Sequence, residues 1–197
     1  MTQNLQDYIP QQAIPKINEL LDHDHLVVKV KAERKSRHGD YKRLPNGKHQ
    51  ITINSNLNTY RFLITLIHEI AHFEAFKHYG TTIKPHGLQW KRTFQHLMLP
   101  FLNPGIFPAG LLPLLAKHFK NPKASSDSDV KLAYALKQYD APNDKTFIFE
   151  VPLNQVFKTY NGRAFKKGAK RRTRYECVEM TSGRIYLFNA NAEVELL

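Results

Sequence analysis

The apolar positions of this chain change period as it proceeds, and each change marks an element. Ile14, Ile17, Leu20 and Leu21 stand at helical spacing; Pro10 and Pro15 either make the first half irregular or put Pro15 in the first turn, where a missing N–H is harmless. Residues 26–35 open apolar and then alternate, Val28 and Val30 against Lys29 and Lys31; this is the period of a strand with one basic face. Pro45, Asn46, Gly47 and Lys48 read as a turn leading into another strand that carries Ile51 and Ile53. A long helix follows, with Asn58 or Thr59 as N-cap and Gly80 as its stop after Tyr79. Leu63, Ile64, Leu66, Ile67, Ile70, Ala71 and Phe73 surround most of it. Only Glu74, Lys77 and His78 fall at solvent positions, and a helix apolar nearly all round is a buried, central one.

After a loop over 81–86, helical spacing resumes over 87–99, through Leu88, Phe94, Leu97 and Met98. The Pro/Gly-rich, apolar stretch 100–113 reads as ordered but irregular, ahead of a short helix ending near Phe119. The polar run 121–129 reads as a linker, with a short helix over 130–139 after it. From Thr146 the pattern becomes β, with strands over 146–151, 155–160, 174–180 and 184–189. The expectation is an α+β fold: a small antiparallel sheet packed on the central helix, then a β-rich tail. The domain boundaries expected are 1–120, a linker at 121–130, and a basic β-rich segment at 131–197.

With 197 residues, 42% of them apolar, and 12 Phe and 9 Tyr, the chain can build a core and is not disordered. Its net charge of +12 favours an anionic partner, nucleic acid before an anionic membrane surface. The plain alternative is a solvated basic surface. Cys177 is the single cysteine, which excludes an internal disulfide and a cysteine-rich zinc site. The N-terminus lacks a basic start followed by an apolar core, so it is not a signal peptide. No run reaches the ~18 apolar residues of a membrane span. A cytoplasmic protein is expected, nucleoid-associated in a bacterium, with no membrane partner.

Within the buried helix, residues 68–72 read His-Glu-Ile-Ala-His. His68 and His72 project from one helical face, roughly 5–6 Å apart at Cβ. That spacing suits one zinc ion, with Glu69 beside it as general base. Buried ionisable groups are costly without partners, and a metal is such a partner. A third ligand should come from another element. His86 fits, because the chain turns at Gly80 and returns through Lys-Pro-His-Gly at 84–87. His78 points away from His72. One Zn²⁺ is the expected cofactor, lowering the pKa of a water and polarising a carbonyl while Glu69 moves the proton.

HEIAH at 68–72, residues 73–85, then HGLQW at 86–90 resembles the SprT-like metalloprotease domain, whose pattern is HExxH, about a dozen residues, then HGxxF/W. Tyr79-Gly80, Pro85-His86-Gly87 and Trp90 fall where that family has similar residues. The resemblance covers about residues 5–100. It implies a zincin-like minimal metalloprotease domain, with His68, His72 and His86 as zinc ligands and Glu69 as the catalytic glutamate. The family includes the eukaryotic Spartan proteases, which implies cleavage of proteins on DNA, notably DNA–protein crosslinks. Some bacterial members are assigned a transcription-related role. Many members end in a four-cysteine zinc ribbon. Here residues 174–188 resemble its second knuckle, with Met180 where the last cysteine would stand, and residues 146–152 resemble the first with both cysteines gone. A ribbon-like segment without metal is therefore expected, held by Phe147, Phe149, Val151, Tyr175, Ile185, Tyr186 and Leu187.

Positive charge concentrates in two segments. One holds Lys35, Arg37, Lys42 and Arg43; the other holds Lys166, Lys167, Lys170, Arg171, Arg172 and Arg174, interleaved by Tyr160, Phe165 and Tyr175. Cations for phosphates and aromatics for bases suit single-stranded or non-specific DNA; the aromatics suit a core equally well. The leading reading is a zinc metalloendopeptidase acting on DNA-associated protein. The alternatives are a nucleic-acid-binding or transcription-associated module with structural zinc, and a peptidase for soluble peptides whose charge serves solubility.

Overall fold

A computed structural model of the chain describes residues 4–35 and 37–197, so the first three residues of the N-terminal stretch read above lie outside it. Two units make up the chain, Met1–Asp140 and Ala141–Leu197. In the first, α1 (Ile14–Leu21) leads to three strands, β1 (Leu26–Lys31), β2 (Gly39–Arg43) and β3 (His49–Asn54), then to α2 (Thr59–Tyr79). Helices α3 (Leu88–Met98), α4 (Leu112–Phe119) and α5 (Val130–Lys137) follow. The fold is α+β.

Strand order is β1-β3-β2. β2 runs antiparallel to β3, but β1 runs parallel to it, so the sheet is mixed, not wholly antiparallel as expected. β3 takes the centre because its residues Gln50–Asn54 are buried on both faces, and such a strand needs a neighbour on each side. β2 is left as an edge.

α2 is the axis of this unit. The Asn58 side chain accepts hydrogen bonds from the N–H groups of Tyr60 (3.1 Å) and Arg61 (2.9 Å), which settles the N-cap. Gly80, at φ +69, stops the helix. Phe62, Leu63, Leu66, Ile67 and Ile70 are fully buried among Ile17, Ile51, Ile53, Trp90, Phe94 and Leu115. Each such side chain contributes about 1.5–3 kcal/mol by leaving water. Glu74, expected in solvent, is partly buried and held by His23 at 3.2 Å and Lys77 at 3.3 Å.

Leu132 and Leu136 of α5 also enter this core, and Asn58 donates to the Leu136 carbonyl at 2.9 Å. Residues 121–129 therefore join two helices of one unit, and the division falls after Asp140 instead of at the expected linker. Asp127, within that polar run, bonds Arg61 of α2 and, at 2.6 Å, His38.

The second unit is a six-stranded sheet of β4 (Lys145–Phe147), β5 (Val156–Lys158), β6 (Ala164–Arg171), β7 (Arg174–Glu179), β8 (Ile185–Asn189) and β9 (Glu193–Leu196). Its order is β4-β9-β5-β6-β7-β8, with every neighbouring pair antiparallel. The hairpin β7–β8 lies where the second knuckle was expected, but β6 and β9 enlarge the sheet beyond two hairpins. β6 escapes a pattern reading because Lys166, Lys167, Gly168 and Lys170 hide its alternation. The core is Ile148, Val151, Phe157, Phe165, Cys177 and Val194. Phe147 and Val151 are buried as expected, but Ile185 and Leu187 are 64% and 49% exposed. β8 is an edge strand whose Tyr186 and Phe188 take the inner face, and alternation sends their neighbours outward. Among the described residues no helix is long and apolar enough to cross a membrane.

Candidate metal centre

Helical geometry puts His68 and His72 one turn apart on α2, and the return after Gly80 brings His86 over them. His86 holds a left-handed φ of 58, a conformation that costs a non-glycine residue about 1–3 kcal/mol and that clusters at functional sites. The three Nε2 atoms form a triangle with sides of 3.0, 3.1 and 3.2 Å. A triangle this small lets one ion stand about 2.0–2.1 Å from every corner, the Zn–N distance. Without a cation, three lone pairs converging on one point repel.

Burial lowers the pKa of all three histidines. His68 lies well below the usual imidazole value, through burial first and then its neighbours His72, His86 and His118. Burial, then His86, brings His72 to about 4, against an opposing pull from Asp40. For His86 the cause is burial. All three are neutral near pH 7, the form a metal needs. Trp90 forms the floor, its ring centroid 4.6 Å from His68, 5.2 Å from His72 and 4.7 Å from His86. It is fully buried, and its Nε1 has no hydrogen-bond partner among the described residues.

Glu69 is buried at 6% exposure. Burial, with Asp40 adding to it, raises its pKa to about 8 against the opposing charges of Arg34 and Arg37. Those charges sit on the segment leading into β2. Arg34 donates to the Asn54 carbonyl oxygen of the side chain and to the Thr52 hydroxyl, each at 2.9 Å, and Arg37 pairs with Asp40 at 2.7 Å. Further along β2, the Tyr41 ring lies parallel to His72, centroids 6.3 Å apart, and to His49, 5.8 Å apart. Its hydroxyl and His49 Nδ1 are hydrogen-bonded at 2.8 Å, and burial, opposed by Arg43, pushes its pKa up to about 12. Gly39, Asp40 and Tyr41 were not singled out from sequence. The one available signal was a glycine inside a strand, which often marks a close backbone approach.

The cations read as nucleic-acid contacts separate into two groups, one per unit. In the first unit Lys35 and Lys42 are exposed, Arg37 is engaged with Asp40, and Arg43 lies over the Phe76 ring at 4.7 Å. In the second, Lys166, Lys170, Arg171, Arg172 and Arg174 are exposed. Lys167 is not a surface cation: it is 6% exposed, with its ammonium donating to the carbonyls of Val151 and Phe149 and lying over Tyr175. Phe165 is core and unavailable for stacking. Arg171 and Arg174 face one another across the hairpin, with Arg172 between them at φ 53. Arg171 is paired with Glu176 at 3.0 Å.

Comparison with curated proteins and with solved structures gave no match. The model of the SprT-like family matches residues 7–104, a range that holds α1 to α3, the three-stranded sheet, the histidine triangle, Glu69 and Trp90. That family is generally associated with zinc and with metallopeptidase-like activity. Residues 7–104 of the chain therefore carry a SprT-like domain.

Proposed function

We propose that the first unit is a zincin-like, zinc-dependent metalloendopeptidase acting on proteins associated with DNA. The observation that carries this reading is the convergence of three neutral imidazole nitrogens within 3.2 Å, on the helix whose next residue after His68 is the buried Glu69. His68, His72 and His86 would hold the zinc, which would supply a Lewis acid able to polarise a peptide carbonyl and acidify a water. Ionised, as the charge of a bound metal would favour against the burial that raises its pKa, Glu69 takes a proton from the attacking water as its oxygen bonds the carbonyl carbon. It returns that proton to the amine nitrogen as the C–N bond breaks, so the net change is addition of one water across the peptide bond. No protein hydrogen bond occupies the Glu69 carboxylate among the described residues, which leaves its oxygens open to the water.

DNA enters through charge. The net +12 and the exposed cations of the hairpin Lys170–Arg174 suit phosphate contact without base specificity. Directly opposed arginines repel, and a polyanion relieves that repulsion. The test is cleavage of a DNA-bound protein, with and without DNA, by wild type and Glu69→Gln. Cleavage by wild type alone, and more with DNA, supports the reading; cleavage that persists in the variant removes Glu69 from its role.

A second reading rests on the same hairpin, which lies outside the matched residues: a nucleic-acid-binding or transcription-associated module with a structural zinc. It expects DNA binding unchanged by Glu69→Gln and no proteolysis by either protein.

A further inference from the structure

Gly39 opens β2 and lies directly against the glutamate of the central helix. A Cβ built on it would stand 2.7 Å from Glu69 Oε1, 2.9 Å from Glu69 Cγ and 2.7 Å from Thr65 Cγ2. Real Cβ contacts essentially never fall below 3.0 Å. The glycine has no positive φ, so conformational freedom is not why it is there; the space is. We propose that Gly39 is a positioning residue: its missing side chain lets the β2 backbone close over α2 and sets where the Glu69 carboxylate stands.

Three features direct the Glu69 part of this contact onto the carboxylate, while the part against Thr65 Cγ2 costs stability. Asn54, itself 1% exposed, donates to the carbonyls of Arg34 at 3.0 Å and Arg37 at 2.9 Å, and its own N–H bonds the His38 carbonyl at 2.9 Å. The segment just before Gly39 is therefore tied to β3 and cannot back away. Thr65 is equally fixed, its hydroxyl donating to the Arg61 carbonyl at 2.8 Å. Among the described residues Glu69 has no such tie. Of the atoms a methyl would strike, its carboxylate is the one at the end of an unanchored, flexible side chain, so it yields first. Misplacing a reacting group by about 1 Å costs on the order of a hundredfold in rate.

This rests on the protease reading for its kinetic arm and on the contact alone for its thermal arm. In the full-length zinc-loaded protein, Gly39→Ala should lower kcat about a hundredfold, with KM and zinc content at wild-type values. Gly39→Ala should also lower Tm less in a Glu69→Ala background, where the carboxylate is no longer there to be struck. Adding Thr65→Ser to Gly39→Ala removes the Cγ2 contact and keeps the hydroxyl; it should recover Tm while kcat stays low. Wild-type kcat in Gly39→Ala, strictly additive Tm losses in the Gly39/Glu69 pair, or recovery of kcat along with Tm on adding Thr65→Ser would each overturn the proposal. A wild-type protein without Glu69-dependent cleavage defeats the protease reading instead, and the thermal cycle still decides whether Gly39 and Glu69 are coupled.

Discussion

His72 and His86 place their Nε2 atoms 3.0 Å apart, one from the middle of a helix and the other from a loop residue at positive φ. The contact joins α2 to the return segment, so a metal held there would be linked to the fold. Zinc should raise Tm, by about 4 kcal/mol of added stability at a thousandfold excess over its Kd. Chelation should reverse the shift, and His86→Ala should abolish it. Thermal unfolding with and without zinc reads this directly; a zinc-independent Tm in wild type would contradict it.

Glu69→Gln keeps the shape of the side chain and removes its base. Cleavage should fall by about 10²–10⁴ while one zinc per chain remains, measured by metal analysis of the purified variant. A loss of zinc together with activity would assign Glu69 to the structure of the site instead of to proton transfer.

Asp127 holds Arg61, which is 5% exposed, and also bonds His38. Burial pushes its carboxyl upward, but the His38 hydrogen bond and the Arg61 charge outweigh it and hold the pKa below the usual carboxylate range. The sign follows: this stabilisation is complete above the unfolded carboxylate pKa of about 3.9 and fades as pH falls below it. Asp127→Ala should cost about 1.5–3 kcal/mol at pH 7 by leaving a buried guanidinium unpaired. Urea unfolding should show the gap from wild type narrowing in strong acid.

Lys166 is exposed and its neighbour Lys167 is buried. Lys167→Ala should lower the stability of the second unit by about 1–3 kcal/mol, since it strips the Val151 carbonyl of its donor, and should leave DNA affinity unchanged. Arg172→Ala and Arg174→Ala should do the reverse. Each should weaken binding to any DNA sequence alike and reduce the salt slope by about one. Binding titrations across a salt series separate the two outcomes.

The central helix was legible because everything that makes it is local. Asn58 caps it, Gly80 stops it, and the apolar residues between them repeat at its own period. The two histidines one turn apart and the third after a turn-and-return were legible for the same reason, and so was the resemblance their spacing carries. What lay beyond reach depends on partners far along the chain. The parallel pairing of β1 with β3 is set by which strand both faces of the core require. The place of α5 is set by where Leu132 and Leu136 find apolar surface, and composition had suggested that a linker ahead of it set it apart. Lys167 is buried and Lys166 exposed because strand register alternates faces, and register is not written in a run of lysines. The run Gly39–Tyr41 carries little pattern of its own. Only the packing of β2 on α2 brings that glycine against Glu69 and that tyrosine alongside His72, because close approach between two backbones is a property of the pair and of neither segment alone.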